Sequence, residues 1–249
     1  FVQDLEGQFS IIIYDKQTKN IFASTDHFGI NPLYYTVQQG NNFLISSEIK
    51  AFKNLSFFKK ALNYKRVYDY LCTLVSAPEI TFYENVFKLK KANTIQLDSK
   101  FNFNIKKYYE LIAKDNEFRD YYDCVDQFSE IFRETIKNFD QEAHEYSSIM
   151  SGGLDSTSIT SLLSDENDNF KSFSSVFSSP DINLGRSNED VYVKKVIKEK
   201  NINHEFINLK NTGPFTFLLE YENQLDMPLY NSNLYVMDPI LKKAKISGS

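Results

Sequence analysis

Ser151-Gly152-Gly153-Leu154-Asp155-Ser156 decides the fold because of what flanks it. The apolar run Tyr146 to Met150 precedes it and the helix-forming run Thr157 to Leu163 follows, so a strand is expected to turn into a helix here. Glycines let the backbone approach a ligand closely, and a helix start offers unpaired N–H groups with partial positive charge. The turn therefore predicts an anion cradle. It is not the phosphate loop of ordinary kinases and GTPases, because the second glycine and the lysine of that motif are replaced by Thr157 and Ser158. The bland alternative is a turn in which Asp155 or Ser156 merely caps the helix.

Downstream, Lys171 to Ser178 and His204-Glu205-Phe206-Ile207-Asn208-Leu209 are further strand candidates. Between them Ser187-x-x-Asp190 has the capping-box form before a helix bearing Val193, Val196 and Ile197. Strands alternating with helices predict a doubly wound parallel sheet, whose ligands lie outside the carboxyl ends of the strands. Upstream, Val125, Phe128, Phe132, Thr135, Ile136 and Phe139 form a helical stripe expected to pack beside that sheet. Lys194, Lys195, Lys198 and Lys200 are best explained as a solvated basic face. Pro239 is expected to end or kink the helix it interrupts.

The first hundred residues follow a different rhythm. Phe9 to Tyr14, Ile21 to Ser24, Leu33 to Val37 and Phe43 to Ser46 are short β-branched and aromatic runs separated by turn formers such as Asp15-Lys16 and Gln39-Gly40-Asn41-Asn42. Their spacing predicts an antiparallel sheet. Ser47 to Phe52 has the form of a capped helix start, and Val67, Tyr70, Leu71 and Leu74 make a helical stripe. The polar stretch Asp98 to Lys107 and Asn116 to Arg119 are expected to bracket a hinge, with a boundary near residue 110 between domains 1–110 and 111–249.

A net charge of −5 supplies no basic stripe, so a nucleic-acid partner is not expected. No stretch has the roughly 18 apolar residues of a membrane helix, and Phe1-Val2-Gln3-Asp4 opens no targeting signal. Cys72 and Cys124, far apart and without a histidine cluster among His27, His144 and His204, predict half-buried reduced thiols of a cytoplasmic protein and no zinc site.

Two motif sets carry a resemblance. The loop at 151–156 resembles the pyrophosphate loop of the N-type ATP pyrophosphatases. Leu5-Glu6-Gly7-Gln8-Phe9, the run Asp26-His27-Phe28-Gly29-Ile30-Asn31-Pro32-Leu33-Tyr34-Tyr35, and Ser46-Ser47-Glu48-Ile49-Lys50-Ala51 resemble the later part of a class II glutamine amidotransferase domain. In this order, with Ala77-Pro78 between them, they resemble glutamine-hydrolysing asparagine synthetase along nearly the whole chain. The fold implied is a partial αββα sandwich of antiparallel sheets, of the N-terminal-nucleophile type, followed by a doubly wound parallel-sheet pyrophosphatase domain.

The resemblance also implies a chemistry. ATP with Mg²⁺ would activate a carboxylate, aspartate in the first instance, as an acyl-adenylate for attack by glutamine-derived ammonia. The backbone of Gly152, Gly153, Leu154, Asp155 and Ser156 and the hydroxyls of Ser151 and Ser156 would hold pyrophosphate, and Asp155 would hold Mg²⁺. Main chain at Ile149 and Ser175 would hold adenine, and Ser247 and Gly248 the nucleotide's phosphates. Asp226-Met227-Pro228 resembles the Asp-Glu-Pro element below the acceptor pocket. Small molecules are thus the expected partners, and the resemblance leaves room for a homodimer.

The departures are specific. Residue 1 is Phe where the amidotransferase has its nucleophilic cysteine, so these residues alone are not expected to hydrolyse glutamine. Of the glutamine contacts only Asp26 has a counterpart, preceded by Thr25 in place of arginine, and Asp26 reads equally well as a turn residue. Ser249 stands where an acidic residue is usual. Ser187-Asn188-Glu189-Asp190 and Ser249 leave room for a lactam- or peptide-cyclising relative, and a non-catalytic nucleotide-binding fragment is a third alternative.

Overall fold

The structure, a computed structural model, describes residues 1–38, 42–72, 77–113, 120–142, 146–167, 169–177, 190–209, 212–213, 215–222, 224–228 and 233–248. The expectations for Gln39 to Asn41, Leu74, Asn116 to Arg119, His144, Ser187 to Glu189 and Ser249 lie outside those residues. The chain divides into two compact units, residues 1–114 with 223–230, and residues 115–222 with 231–249.

The first unit is built from two antiparallel sheets. One runs β1 (Ser10–Tyr14), β2 (Ile21–Thr25), β6 (Asn93–Leu97), β7 (Phe103–Lys107) in spatial order. The other runs β4 (Asn42–Ser46), β3 (Tyr34–Gln38), β5 (Val86–Lys88). Alternation places Ala23, Ile95 and Ile105 in one register row and Phe87, Tyr35 and Ile45 in another. Ala23 and Ile95 are fully buried in a cluster that Tyr35, Phe43, Ile45 and Ile105 pack against, so side chains of both sheets share one core. On the other face of the second sheet, Tyr34 and Val86 meet Ile49, Phe52 and Phe58 around α1 (Lys50–Lys53).

Several expectations for this unit are corrected. The polar stretch Asp98 to Lys107, expected to flank a hinge, contains a strand: β7 pairs with β6 in full register, and Asp98 organises the turn between them by accepting the N–H groups of Lys100 and Asn102 at 2.8 and 2.9 Å. Its asparagines and lysines fit because β7 is an edge strand, where charge on the open side is tolerated. Helix α1 starts later than expected, and no side chain of its own segment caps it. In α2 (Tyr64–Cys72) Leu71 is exposed and Arg66 is buried, its guanidinium 4.9 Å from the Phe82 ring centre. Cys72 is exposed rather than half-buried, Cys124 is partly buried, and both are free thiols.

The second unit holds a parallel sheet in the order β10 (Asn203–Asn208), β9 (Lys171–Val176), β8 (Ser147–Ile149). The crossovers are α4 (Leu154–Glu166) and α5 (Asp190–Lys200), so each step along the chain moves one strand further in the same direction. Met150, Leu163, Phe170, Val193 and Ile202 form the core with Ile136 of α3 (Tyr121–Glu142). The stripe on α3 is less buried than its periodicity predicts. Ile136 and Phe132 join the core, whereas Val125, Phe128 and Phe139 are exposed, since the three strands among the described residues cover only part of a 22-residue helix.

Two short facts complete this unit. Pro239 sits inside α7 (Leu234–Ile246) without ending it; its ring removes one N–H, and the nearby Val236 carbonyl accepts the Ser175 hydroxyl at 2.9 Å. Lys194 and Lys200 of the basic face pair with Asp190 and Asp165. No helix among the described residues is long and apolar enough to cross a membrane.

Candidate nucleotide site

The loop at 151–156 begins where β8 is firmly held. Met150 is fully buried, its N–H extends the ladder to the Phe173 carbonyl at 2.9 Å, and its own carbonyl accepts the Ser174 hydroxyl. One residue later the chain is in solvent, with Ser151, Leu154 and Asp155 all exposed. Gly152 makes the turn possible at φ +93°, a backbone conformation that a side chain would strain. Gly153 then takes the N-cap position in extended backbone, and the Thr157 N–H closes the first helical bond on its carbonyl at 3.1 Å.

Within this turn the hydroxyls serve each other. Ser151 Oγ and Ser156 Oγ are 2.9 Å apart, the Ser151 N–H donates to Ser156 Oγ at 3.1 Å, and the Gly153 N–H donates to Ser151 Oγ at 3.3 Å. The N–H groups of Leu154, Asp155 and Ser156 open the helix and have no carbonyl one turn back to meet. Helix dipole and unpaired donors therefore point into solvent at the carboxyl end of β8, and Asp155 places one exposed carboxylate beside them. This arrangement can accept an anion, with the two serine hydroxyls free to exchange their mutual bonds for bonds to it.

The remaining nucleotide-site residues are engaged elsewhere. Ile149 is half-buried within the ladder, and Ser175 spends its hydroxyl on α7. Ser247 caps the carboxyl end of α7, donating to the carbonyl of Ala244 at 2.9 Å, and Gly248 follows at φ +84°. Among the described residues no hydrogen bond joins Ser247 or Gly248 to the 151–156 loop. No group of three metal-ligating side chains is present among them either.

Sequence reasoning missed three residues that shape this site. Ser174 holds the last strand residue, Ser148 bonds Thr160 at 2.7 Å to join β8 to α4, and Thr157 has a buried hydroxyl without a partner in the first helical turn. The only signal was the density of serine and threonine on these elements.

Asp26 occupies a sealed turn in the first unit. Its side chain is 1% exposed, and its oxygens accept the N–H groups of Phe28, Ile30 and Asn31 at 3.0, 3.1 and 3.0 Å. Burial pushes the carboxyl up, but the backbone donors of Asn31, Ile30, Phe28 and Gly29 outweigh it and hold the carboxyl below its ordinary value. Gly29 is at φ +67°, and a Cβ there would lie 3.0 Å from Lys91 Cβ. Thr25, in place of the arginine, is fully buried and donates to the Lys90 carbonyl at 2.8 Å, while Tyr108 donates to the Thr25 carbonyl at 2.7 Å. The turn thus uses the carboxylate for its own backbone.

Comparison with known proteins covers both units. Residues 1–109 match the glutamine amidotransferase domain family and residues 127–245 the asparagine synthase family. A Methanocaldococcus jannaschii protein, provisionally named asparagine synthetase [glutamine-hydrolyzing] 2, is 28% identical over 206 residues, 79% of this chain and 38% of its own. Amidase chry2 of Gibberella zeae is 26% identical over 170 residues, 66% of this chain and 24% of its own. Asparagine synthetase [glutamine-hydrolyzing] 2 of Bacillus subtilis is 25% identical over 181 residues, 68% of this chain and 24% of its own. The matches thus span about a quarter to two-fifths of these relatives. With both domain families present in that order, the chain belongs to the glutamine-hydrolysing asparagine synthetase family.

Proposed function

We propose that these residues carry the ATP-activating step of an ATP-dependent amidation, with aspartate as the acceptor carboxylate and ammonia derived from glutamine. The observation that supports this most directly is the exposed turn at 151–156, whose unpaired N–H groups and hydroxyls stand at the carboxyl end of a parallel strand.

A carboxylate is a poor electrophile, so it must first gain a leaving group. Its oxygen attacks the α-phosphorus of ATP, the bond to the β-phosphate bridge breaks, and pyrophosphate departs. Ammonia then attacks the acyl carbon, AMP leaves with the bonding pair, and a proton is lost from nitrogen. The N–H groups of Leu154, Asp155 and Ser156 stabilise the charge gathering on pyrophosphate, and Ser151 and Ser156 turn their hydroxyls to the same oxygens. Mg²⁺, when bound, supplies further neutralisation, and Asp155 fits it, since that ion is commonly held by one or two carboxylates together with substrate phosphates. Ile149 and Ser175 offer main chain to the adenine, and Ser247 and Gly248 complete the phosphate contacts. Asp26 is assigned to the glutamine amino group by family likeness, and such a contact requires its turn to open.

Titration calorimetry with ATP and Mg²⁺ tests the binding step on this chain. Heat of binding that disappears in Asp155→Ala supports the assignment; no binding by the unsubstituted chain overturns it. Pyrophosphate release on adding aspartate and ammonia tests the acceptor, and release with another carboxylate but not with aspartate would replace it.

A further inference from the structure

Residues 224–228 lie in sequence between α6 (Leu218–Glu222) and α7, which belong to the second unit, yet they are part of the first. One carboxylate makes the connection there. Asp226 Oδ2 accepts the N–H of Ile49 at 2.6 Å across 177 positions of sequence, and Oδ1 lies 3.6 Å from Lys53 Nζ. The Asp226 side chain is only 11% exposed. Ile49 is the residue from which α1 starts, so its amide is among the donors that a helix start leaves without a partner. A negative charge beside that end is favourable, and the bond is charge-assisted. The side chain of Ile49 is itself fixed by Tyr34, Phe52, Phe58 and Val86, so the amide is presented by a rigid support.

We propose that Asp226 is a positioning residue that seats loop 224–228 on the start of α1 within the first unit. The two partners fall in different motif sets, Ile49 within the amidotransferase-like stretch 46–51 and Asp226 within the synthetase-like stretch 226–228. Of the other described residues of the loop, Gln224, Met227 and Pro228 are exposed and Leu225 is partly buried, so Asp226 supplies its polar anchor. The inference is independent of whether the 151–156 turn binds ATP.

Hydrogen exchange on the full chain, read by mass spectrometry, tests it. In Asp226→Ala, exchange in peptides covering 46–53 and 224–228 should rise about tenfold while peptides covering β6 and β7 stay unchanged. Asp226→Asn, which keeps an oxygen for the Ile49 amide, should fall between Ala and the parent. Lys53→Met removes the ion pair, together with the ammonium's contact 5.0 Å from the Tyr83 ring centre, and should loosen the same two peptides by about threefold; its effect at 224–228 carries the test if Asp226→Ala does not fold. Unchanged exchange at 46–53 in Asp226→Ala, or at 224–228 in Lys53→Met where that variant stands in, overturns the proposal. So does an equal rise across the whole first unit, which would make Asp226 a general stability residue.

Discussion

Ser151 and Ser156 hold each other across the turn, Oγ to Oγ at 2.9 Å, and through this pair the Ser151 amide is satisfied as well. The loop is therefore pre-shaped rather than slack. A phosphate oxygen entering the turn exchanges neutral hydrogen bonds for charge-assisted ones, and the exchange is the source of net affinity.

Ser156→Ala should accordingly weaken pyrophosphate binding by about tenfold, the equivalent of roughly one hydrogen bond to a charged group, while leaving thermal stability nearly unchanged. Calorimetry with pyrophosphate and Mg²⁺ measures the first and a melting curve the second. Equal affinity in the variant would show that the hydroxyl pair does not face the ligand.

Asp26→Asn should destabilise the first unit by about 2 kcal/mol at neutral pH, because three backbone donors lose a charged acceptor. The folded carboxyl titrates below the unfolded value, so its contribution is present above about pH 4 and fades as pH falls through the folded pKa. Urea unfolding at pH 7 and pH 2.5 should show the gap between parent and variant closing at the lower pH. A gap that persists would mean that shape, not charge, holds the turn.

His204 adds a pH dependence of the same sign in a higher pH window. Its Nδ1 lies 2.7 Å from Ser172 Oγ, its Nε2 is buried without a partner, and burial pulls the ring from 6.5 to about 4. Above pH 6.5 both folded and unfolded states are neutral. Between 6.5 and 4 the unfolded chain binds the proton first, so stability falls by about 2 kcal/mol, allowing for the part of the ring that water still reaches, and levels off below 4. His204→Asn removes this component. The stability difference between parent and variant, measured at pH 7 and pH 4.5, should therefore change, and a constant difference would refute the assignment.

Among the described residues strand β1 pairs with β2 alone, and Ile12, Ile13 and Tyr14 are all about half exposed. Its sequence carries no charge, in contrast to the lysines of the opposite edge strand, β7. Such an edge invites pairing with another chain. Ile12→Lys should lower concentration-dependent light scattering several-fold with a change in unfolding free energy under about 1 kcal/mol. Equal scattering would place the association elsewhere.

Much of this architecture could be read in advance where the cause is local. The β-branched runs of β1 to β4 and the strand-turn-helix around Gly152 each depend on neighbours in sequence. What escaped depends on distant partners. Phe103 and Ile105 belong to a strand because β6 lies beside them, and Lys106 and Lys107 after them suit an outer edge. Helix α1 has no cap of its own because its first amide finds Asp226. Helix α7 runs through Pro239, with a hydroxyl from β9 bonded to a neighbouring carbonyl. Phe128 and Phe139 repeat with helical period yet stay in solvent, for periodicity shows which face is apolar and not whether anything covers it. In the site, the six contiguous residues were visible, but the mutual bonding of Ser151 and Ser156 and the supporting hydroxyl of Ser174 emerge only when strand and helix are folded together.

The chain leaves the second unit after Glu222, contributes a short passage to the first, and returns. A gene cut at residue 114 would therefore not yield two self-sufficient products: the amino-terminal piece would lack the acid that meets its Ile49 amide, and the carboxyl-terminal piece would carry that acid unmatched. Fragment complementation, more than independent expression, is the natural way to divide this molecule.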